Sequence, residues 1–150
     1  MPVSYYILVA NDAEDIQGKL VPALDVVQAR LASNHWDLYQ GTRNRAAINV
    51  GDRCLFYLAG RRSNAQHVVG EATVMTVAPF NGRLSNNLLT ELPVRYLRFD
   101  SIMIYQSPVS FRAKLDELSF VPQNRQKWGT SLQSGCRKVS RKDFNILREN

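Results

Sequence analysis

Tyr5-Tyr6-Ile7-Leu8-Val9-Ala10 is an almost continuous apolar and aromatic run near the start of the chain. A run this short, with no polar residue at alternate positions, predicts a strand buried on both faces. Such a strand belongs inside a sheet, so the other elements must pack around it. Asn11-Asp12 ends the run with turn chemistry, because both side chains can hydrogen-bond the local backbone.

Pro22 suits the first turn of a helix, where its missing N–H costs nothing. Leu24, Val27 and Leu31 recur at helical spacing, with Asp25, Gln28 and Arg30 between them. Ser33-Asn34 closes this helix, and His35-Trp36 follows. Ala46-Ala47-Ile48 predicts a short helical turn. Val50-Gly51-Asp52 turns into a strand over 53–59. A polar, basic loop spans 60–66, and a strand over 67–77 completes a hairpin. Pro79, Asn81-Gly82 and Asn86-Asn87 mark residues 78–91 as an irregular insertion. Residues 92–105 return to β-type sequence, and residues 111–118 predict a short helix. Residues 123–135 are turn-like around Trp128-Gly129 and Ser134-Gly135. Ser140-Arg141-Lys142-Asp143 has capping-box spacing and should open a final helix that buries Phe144 and Leu147. The expected architecture is a single α+β domain over 1–150. It is a central, strongly bent, barrel-like mixed sheet flanked by a few short α-helices.

The formal net charge of +6 and the pI near 9.6 suit a polyanionic partner. The charge is uneven. Residues 11–40 carry Asp12, Glu14, Asp15, Asp25 and Asp37 against Lys19 and Arg30. The basic excess sits on Arg43, Arg45, Arg53, Arg61 and Arg62, and again toward the C-terminus. Cys54 and Cys136 fit no metal spacing and no disulfide framework. With no secretory leader and no apolar run of about 18 residues, a cytoplasmic, non-membrane protein is expected. His35 and His67 stand without a ligand pattern. Walker, dinucleotide, deaminase and nucleophile-elbow motifs are absent, so no catalytic residue, metal or cofactor is nominated.

Trp36 has two readings: a core side chain, or a ring on which a flat ligand stacks beside the Arg-bearing loop. Asn11 offers both a donor and an acceptor, and Asp12 and Asp37 can accept from an exocyclic amine. Arg43, Arg45, Arg61 and Arg62 form a loop cluster that can grip phosphates. Arg137 and Lys138 lie just before the last helix, where the backbone also favours an anion.

Taken in order, these pieces resemble the EVE domain. They are the N-terminal aromatic strand, Trp36, Gly41-Thr42-Arg43-Asn44, Val50-Gly51-Asp52, Leu55-Phe56-Tyr57 and Val69-Gly70-Glu71-Ala72. Phe120-Val121-Pro122, Trp128, Leu132, Gly135 and 143–147 continue the pattern. The resemblance implies a PUA-like fold related to YTH domains. It also implies a pocket for one base, often modified, turned out of its strand. On that pattern Trp36 is one wall of an aromatic cage, and Asn11 or Asp12 contacts the base edge. Phe80, the aromatic of the 78–91 loop, is the expected second wall. The expected function is a reader of a methylated or hydroxymethylated base in DNA or RNA, in company with a nuclease domain or subunit. The alternatives are an RNA-binding PUA-like protein or a nucleotide-acting enzyme on the same scaffold.

Overall fold

The computed structural model describes residues 2–60, 65–82, 88–89, 92–121, 132 and 135–149. In chain order the strands are β1 (Tyr5–Ala10), β2 (Ala13–Asp15), β3 (Leu20–Val21) and β4 (Trp36–Leu38). They continue with β5 (Arg53–Leu58), β6 (His67–Pro79), β7 (Leu88–Leu89), β8 (Arg95–Ser110) and β9 (Cys136–Val139). Helix α1 (Ala23–Ala32) precedes β4, a 3-10 helix covers Arg112–Glu117, and α2 (Arg141–Ile146) follows β9.

Six strands form one mixed sheet in the order β4-β8-β6-β5-β1-β9. β1 runs parallel to β5 and antiparallel to β9, and the remaining pairs are antiparallel. β2, β3 and β7 make a small second sheet. The first strand is thus interior, as its composition predicts. Tyr6, Leu8 and Ala10 point into one core with Cys54, Phe56, Leu58 and the inner face of α1. Ile7 points the other way, into a core with Leu55, Tyr57, Phe111, Phe144 and Leu147.

Register shifts curl the sheet into a half-barrel. One lies between Phe56 and Tyr57, and others between Val68 and Gly70, Glu71 and Thr73, and Val74 and Thr76. Each sets extra residues on one strand against fewer on its partner, which bends the strand. Gly70 sits at such a shift. A Cβ there would lie 2.7 Å from the Met103 carbonyl oxygen, so only glycine lets β6 and β8 approach this closely.

Several elements differ from expectation. Helix α1 is rotated: Ala23, Val26, Val27 and Arg30 are its buried residues, while Leu24 and Leu31 are only partly covered. Between the turn-like 123–135 stretch and the final helix, where no element is expected, lies the edge strand β9. The adjacent charges of Arg137 and Lys138 hide it, because an edge strand can leave Lys138 in water. The expected capping box is half-formed. The Ser140 hydroxyl accepts from the Asp143 N–H at 3.0 Å, but the Asp143 carboxylate turns to the Ser119 N–H (3.0 Å) and hydroxyl (2.5 Å).

Candidate functional site

A cleft of about 220 Å3 opens where β1 ends, bordered by the last turns of α1, by β4 and by Gly135. Its making starts with Asp12. Pro22 caps α1 without a side-chain acceptor, and the Asp12 carboxylate fills that role, accepting from the Ala23 N–H at 2.9 Å. The segment leaving β1 is thereby tied to the helix start, and Asn11 and Asp12 both stand at the mouth.

At its other end α1 is turned into β4 by Asn34, which holds a left-handed φ of +49°. Its side chain clamps β8, donating to the Phe99 carbonyl at 3.0 Å and accepting from the Phe99 N–H at 2.8 Å. β4 then enters the sheet with Trp36 opposite Leu97. The Trp36 ring is only 4% exposed. It stacks on Phe56 at 5.1 Å and meets Phe99 edge-on at 6.4 Å. Trp36 therefore belongs to the core and to the cleft wall at once.

Arg30 reaches across from α1. Its guanidinium carbon lies 5.3 Å from the Trp36 ring centre and 5.9 Å from that of Tyr39. Nη2 donates to the Tyr39 hydroxyl at 3.0 Å. Nη1 lies 3.7 Å from Asp37 Oδ2, an ion-pair separation too long for a hydrogen bond, and it has no hydrogen-bond acceptor. Asp37 Oδ1 lies 3.1 Å from His35 Nε2, and the His35 ring stacks on Tyr96 at 4.1 Å. Burial pushes the Asp37 carboxyl above its ordinary range, and the Arg30 charge and then His35 pull it back in part.

The outer lip is the 39–49 loop. The Tyr39 N–H donates to the Thr42 hydroxyl at 3.0 Å, and the Thr42 N–H returns to the Tyr39 carbonyl at 3.0 Å. Thr42 packs near Gly135, whose φ of +78° favours glycine.

The cleft thus gathers Asn11, Asp12, Trp36 and Asp37 from the residues nominated by sequence. Phe80 does not line it. β6 runs on to Pro79, so Phe80 leaves the sheet beside β8 with its N–H on the Val94 carbonyl at 3.1 Å. The aromatic that joins Trp36 in the cleft is Tyr39. Arg43 is exposed on the lip loop, and Arg45 is half-buried with its carbonyl accepting from Arg95 at 3.1 Å. Arg137 pairs opposite Ile7 and lies over Phe120 at 5.3 Å, on the sheet face away from the cleft, whereas Lys138 is exposed. Arg61, Arg62 and Trp128 lie outside the described residues. Sequence reasoning missed Arg30 and Tyr39, whereas Thr42 and Gly135 belong to the segments that carry the family resemblance. One signal was available: Arg30 follows Val26 by four residues, one turn along the same helical face.

Solved structures share this architecture along nearly the whole chain. The N-terminal domain of McrB from Staphylothermus marinus superposes with a TM-score of 0.60 at 12% identity, covering 97% of this chain and 94% of that one. The DUF55 domain of human thymocyte nuclear protein 1 gives 0.60 at 12% identity, with 96% of each chain covered. Human THYN1 in complex with 5-methylcytosine-containing DNA gives 0.56 at 12% identity, covering 98% and 99%. The fold is the PUA-like one of EVE-like domains. No protein-family model matches the sequence, and no curated protein does either. Among the described residues, no group of three or more His, Cys, Asp and Glu could hold a metal ion, and no helix is long and apolar enough to cross a membrane. Burial pushes the Cys136 thiol up to about 12 and raises Cys54 as well, so neither offers a thiolate at neutral pH.

Proposed function

We propose that this protein is a nucleic-acid-binding module that admits one base, turned out of its strand, into the cleft at the end of β1, with DNA carrying a modified base as the favoured ligand. The observation that carries this reading is the cleft. Two aromatic side chains, Trp36 and Tyr39, stand in a partly enclosed space beside buried groups that donate and accept hydrogen bonds. An apolar hollow with a few convergent polar groups is the usual form of a site for a small flat ligand. The shared fold adds to it, since human THYN1 has that fold and was solved with 5-methylcytosine-containing DNA. The net charge of +6 supplies attraction for the strand on either side of the base.

In this reading Tyr39 and the edge of Trp36 hold the ring. Asn11 and Asp12 stand at the mouth against the base edge, and Arg43 and Lys138 meet phosphate outside. Extrusion costs a few kcal/mol, which stacking, edge hydrogen bonds and phosphate contacts offset. The module performs no chemistry of its own and serves a nuclease or another effector.

The test is a binding panel of matched oligonucleotides. Each carries cytosine, 5-methylcytosine, 5-hydroxymethylcytosine, adenine or N6-methyladenine at one position, with an abasic twin, as DNA and as RNA. Tyr39→Ala is the informative variant, because Trp36→Ala would empty the core beside Phe56 and cost stability of about 3–5 kcal/mol. The expected result is preference for a base over the abasic twin and a loss of about tenfold in Tyr39→Ala, in line with stacking. Equal affinity for the abasic and base-bearing strands would falsify the reading. Preference for the RNA series would move it to an RNA reader.

A further inference from the structure

Among the described residues, three of the four buried carboxylates are well provided for. Glu71 accepts from Tyr105 at 2.9 Å, from Arg53 at 2.5 Å and from Arg148 at 3.0 Å. Asp52 accepts from the Ser4 and Asn49 N–H groups at 3.0 and 2.9 Å, and Asp143 from Ser119 and Ser140. Among the described residues two buried nitrogens differ, His35 Nε2 and Arg30 Nη1, and of these two residues Arg30 lines the cleft. Arg30 is 7% exposed, and its Nη1 has no acceptor within hydrogen-bond reach. A guanidinium N–H withdrawn from water and left unpaired is costly, and the cleft is where an acceptor can be supplied. The guanidinium is also held in place, by Tyr39 through Nη2 and by the Trp36 ring beneath it. Beside the free donor stands a fixed acceptor: Asp37 Oδ2, 3.7 Å away, in a carboxylate that is itself a cleft residue.

We propose that Arg30 and Asp37 together read the base edge, Arg30 Nη1 donating to a ring nitrogen and Asp37 accepting from the exocyclic amine next to it. A donor and an acceptor side by side match an edge on which an unprotonated ring nitrogen adjoins an amine. Cytosine has that edge at N3 and N4, and adenine has it at N1 and N6. Uracil, thymine and hypoxanthine carry N–H beside a carbonyl at the same place, so each would set donor against donor and acceptor against acceptor. The cleft therefore selects amino bases over their keto twins. Methylation at C5 of cytosine, or of one hydrogen on the adenine amine, leaves the pair of contacts available.

This inference rests on the base-binding reading, and its test keeps the two apart. Short strands are prepared with one central cytosine, uracil, adenine, hypoxanthine or abasic residue flanked only by abasic residues, and binding is followed by fluorescence anisotropy. The wild-type chain should favour cytosine over uracil and adenine over hypoxanthine by about tenfold or more, the discrimination a paired edge contact gives. Arg30→Gln and Asp37→Asn should each bring both ratios close to one and leave affinity for the abasic strand unchanged. The wild-type ratios need no variant, so misfolding of Arg30→Gln would not spoil the test, and Arg30→Lys with a melting curve provides a folded control. A wild-type protein that prefers a base to the abasic residue but is blind to amine against keto overturns this inference alone. So does a folded Arg30→Gln that keeps both ratios, or one that weakens the abasic strand equally and so marks a phosphate contact. A wild-type protein that binds the abasic strand as well as the others overturns the base-binding reading, and this inference with it.

Discussion

At the scale of single residues the cleft depends on where charge is buried. Asp37 shows the sign most clearly. Its carboxyl is lifted above the usual range by burial, with Arg30 of α1, His35 before β4 and Tyr96 of β8 packed around it. A carboxyl whose folded-state value is raised holds its proton more tightly folded than unfolded. Its ionisation therefore costs stability at neutral pH, and that cost is relieved as pH falls through the raised value. On the proposed reading binding runs the opposite way, because the ionised form accepts more strongly from an amine, and protonation sets an O–H donor at the base edge. Affinity for an amino base should decline on acidification before ordinary carboxylates titrate. Asp37→Asn should flatten that decline. Titrations of oligonucleotide affinity against pH for both proteins check this, and an identical decline in the two would count against Asp37. The cysteines give a second prediction. Cys54 and Cys136 are 0% exposed and held as thiols, so Ellman's reagent should leave both unmodified in the folded protein and modify both in denaturant.

At the scale of elements the close approach of β6 and β8 is the sensitive point. Gly70→Ala places a methyl group 2.7 Å from backbone that cannot yield without parting the strands, and 3.4 Å from Phe56. A loss of about 1–3 kcal/mol in urea unfolding is expected. Asp143→Ala should cost a similar amount, about 1–3 kcal/mol, by stranding the Ser119 N–H and the Ser140 cap under α2. Ser140→Ala alone should cost about 1 kcal/mol. The elements also show what a sequence can reveal. Tyr5–Ala10 announced an interior strand because burial on both faces leaves no polar residue behind. The 53–59 and 67–77 segments announced a hairpin because the turn before them is explicit. Helix α1 was recognisable, but its orientation was not: Leu24 and Leu31 outbid Arg30 for the inner face on hydrophobicity. The structure buries Arg30 because Trp36, Tyr39 and Asp37 receive it, and those partners come from a different element. Phe80 failed as a cleft residue for a related reason. Its place depends on how far β6 continues, and the bulges that set this blur the strand periodicity.

At the scale of the whole molecule, a basic chain encloses a cleft whose inner charges are mixed. Asp12 and Asp37 stand there with Arg30, while Arg43 and Lys138 lie outside in water. On the proposed reading this division separates affinity from selectivity. Arg43→Ala should lower binding to every strand alike and reduce the slope of log affinity against log salt by about one, with base preference intact. Titrations at several salt concentrations measure both quantities together, and a changed base preference would place Arg43 in the cleft instead. The sheet carries one more implication. β1 lies between β5 and β9, so the first strand of this sheet in chain order is enclosed by its last. When β8 has been synthesised, five of the six strands exist, yet β1 still presents a bare edge and the Gly135 lip of the cleft is missing. On the proposed reading, base capture waits for β9, and a chain cut before β9 is expected not to discriminate bases.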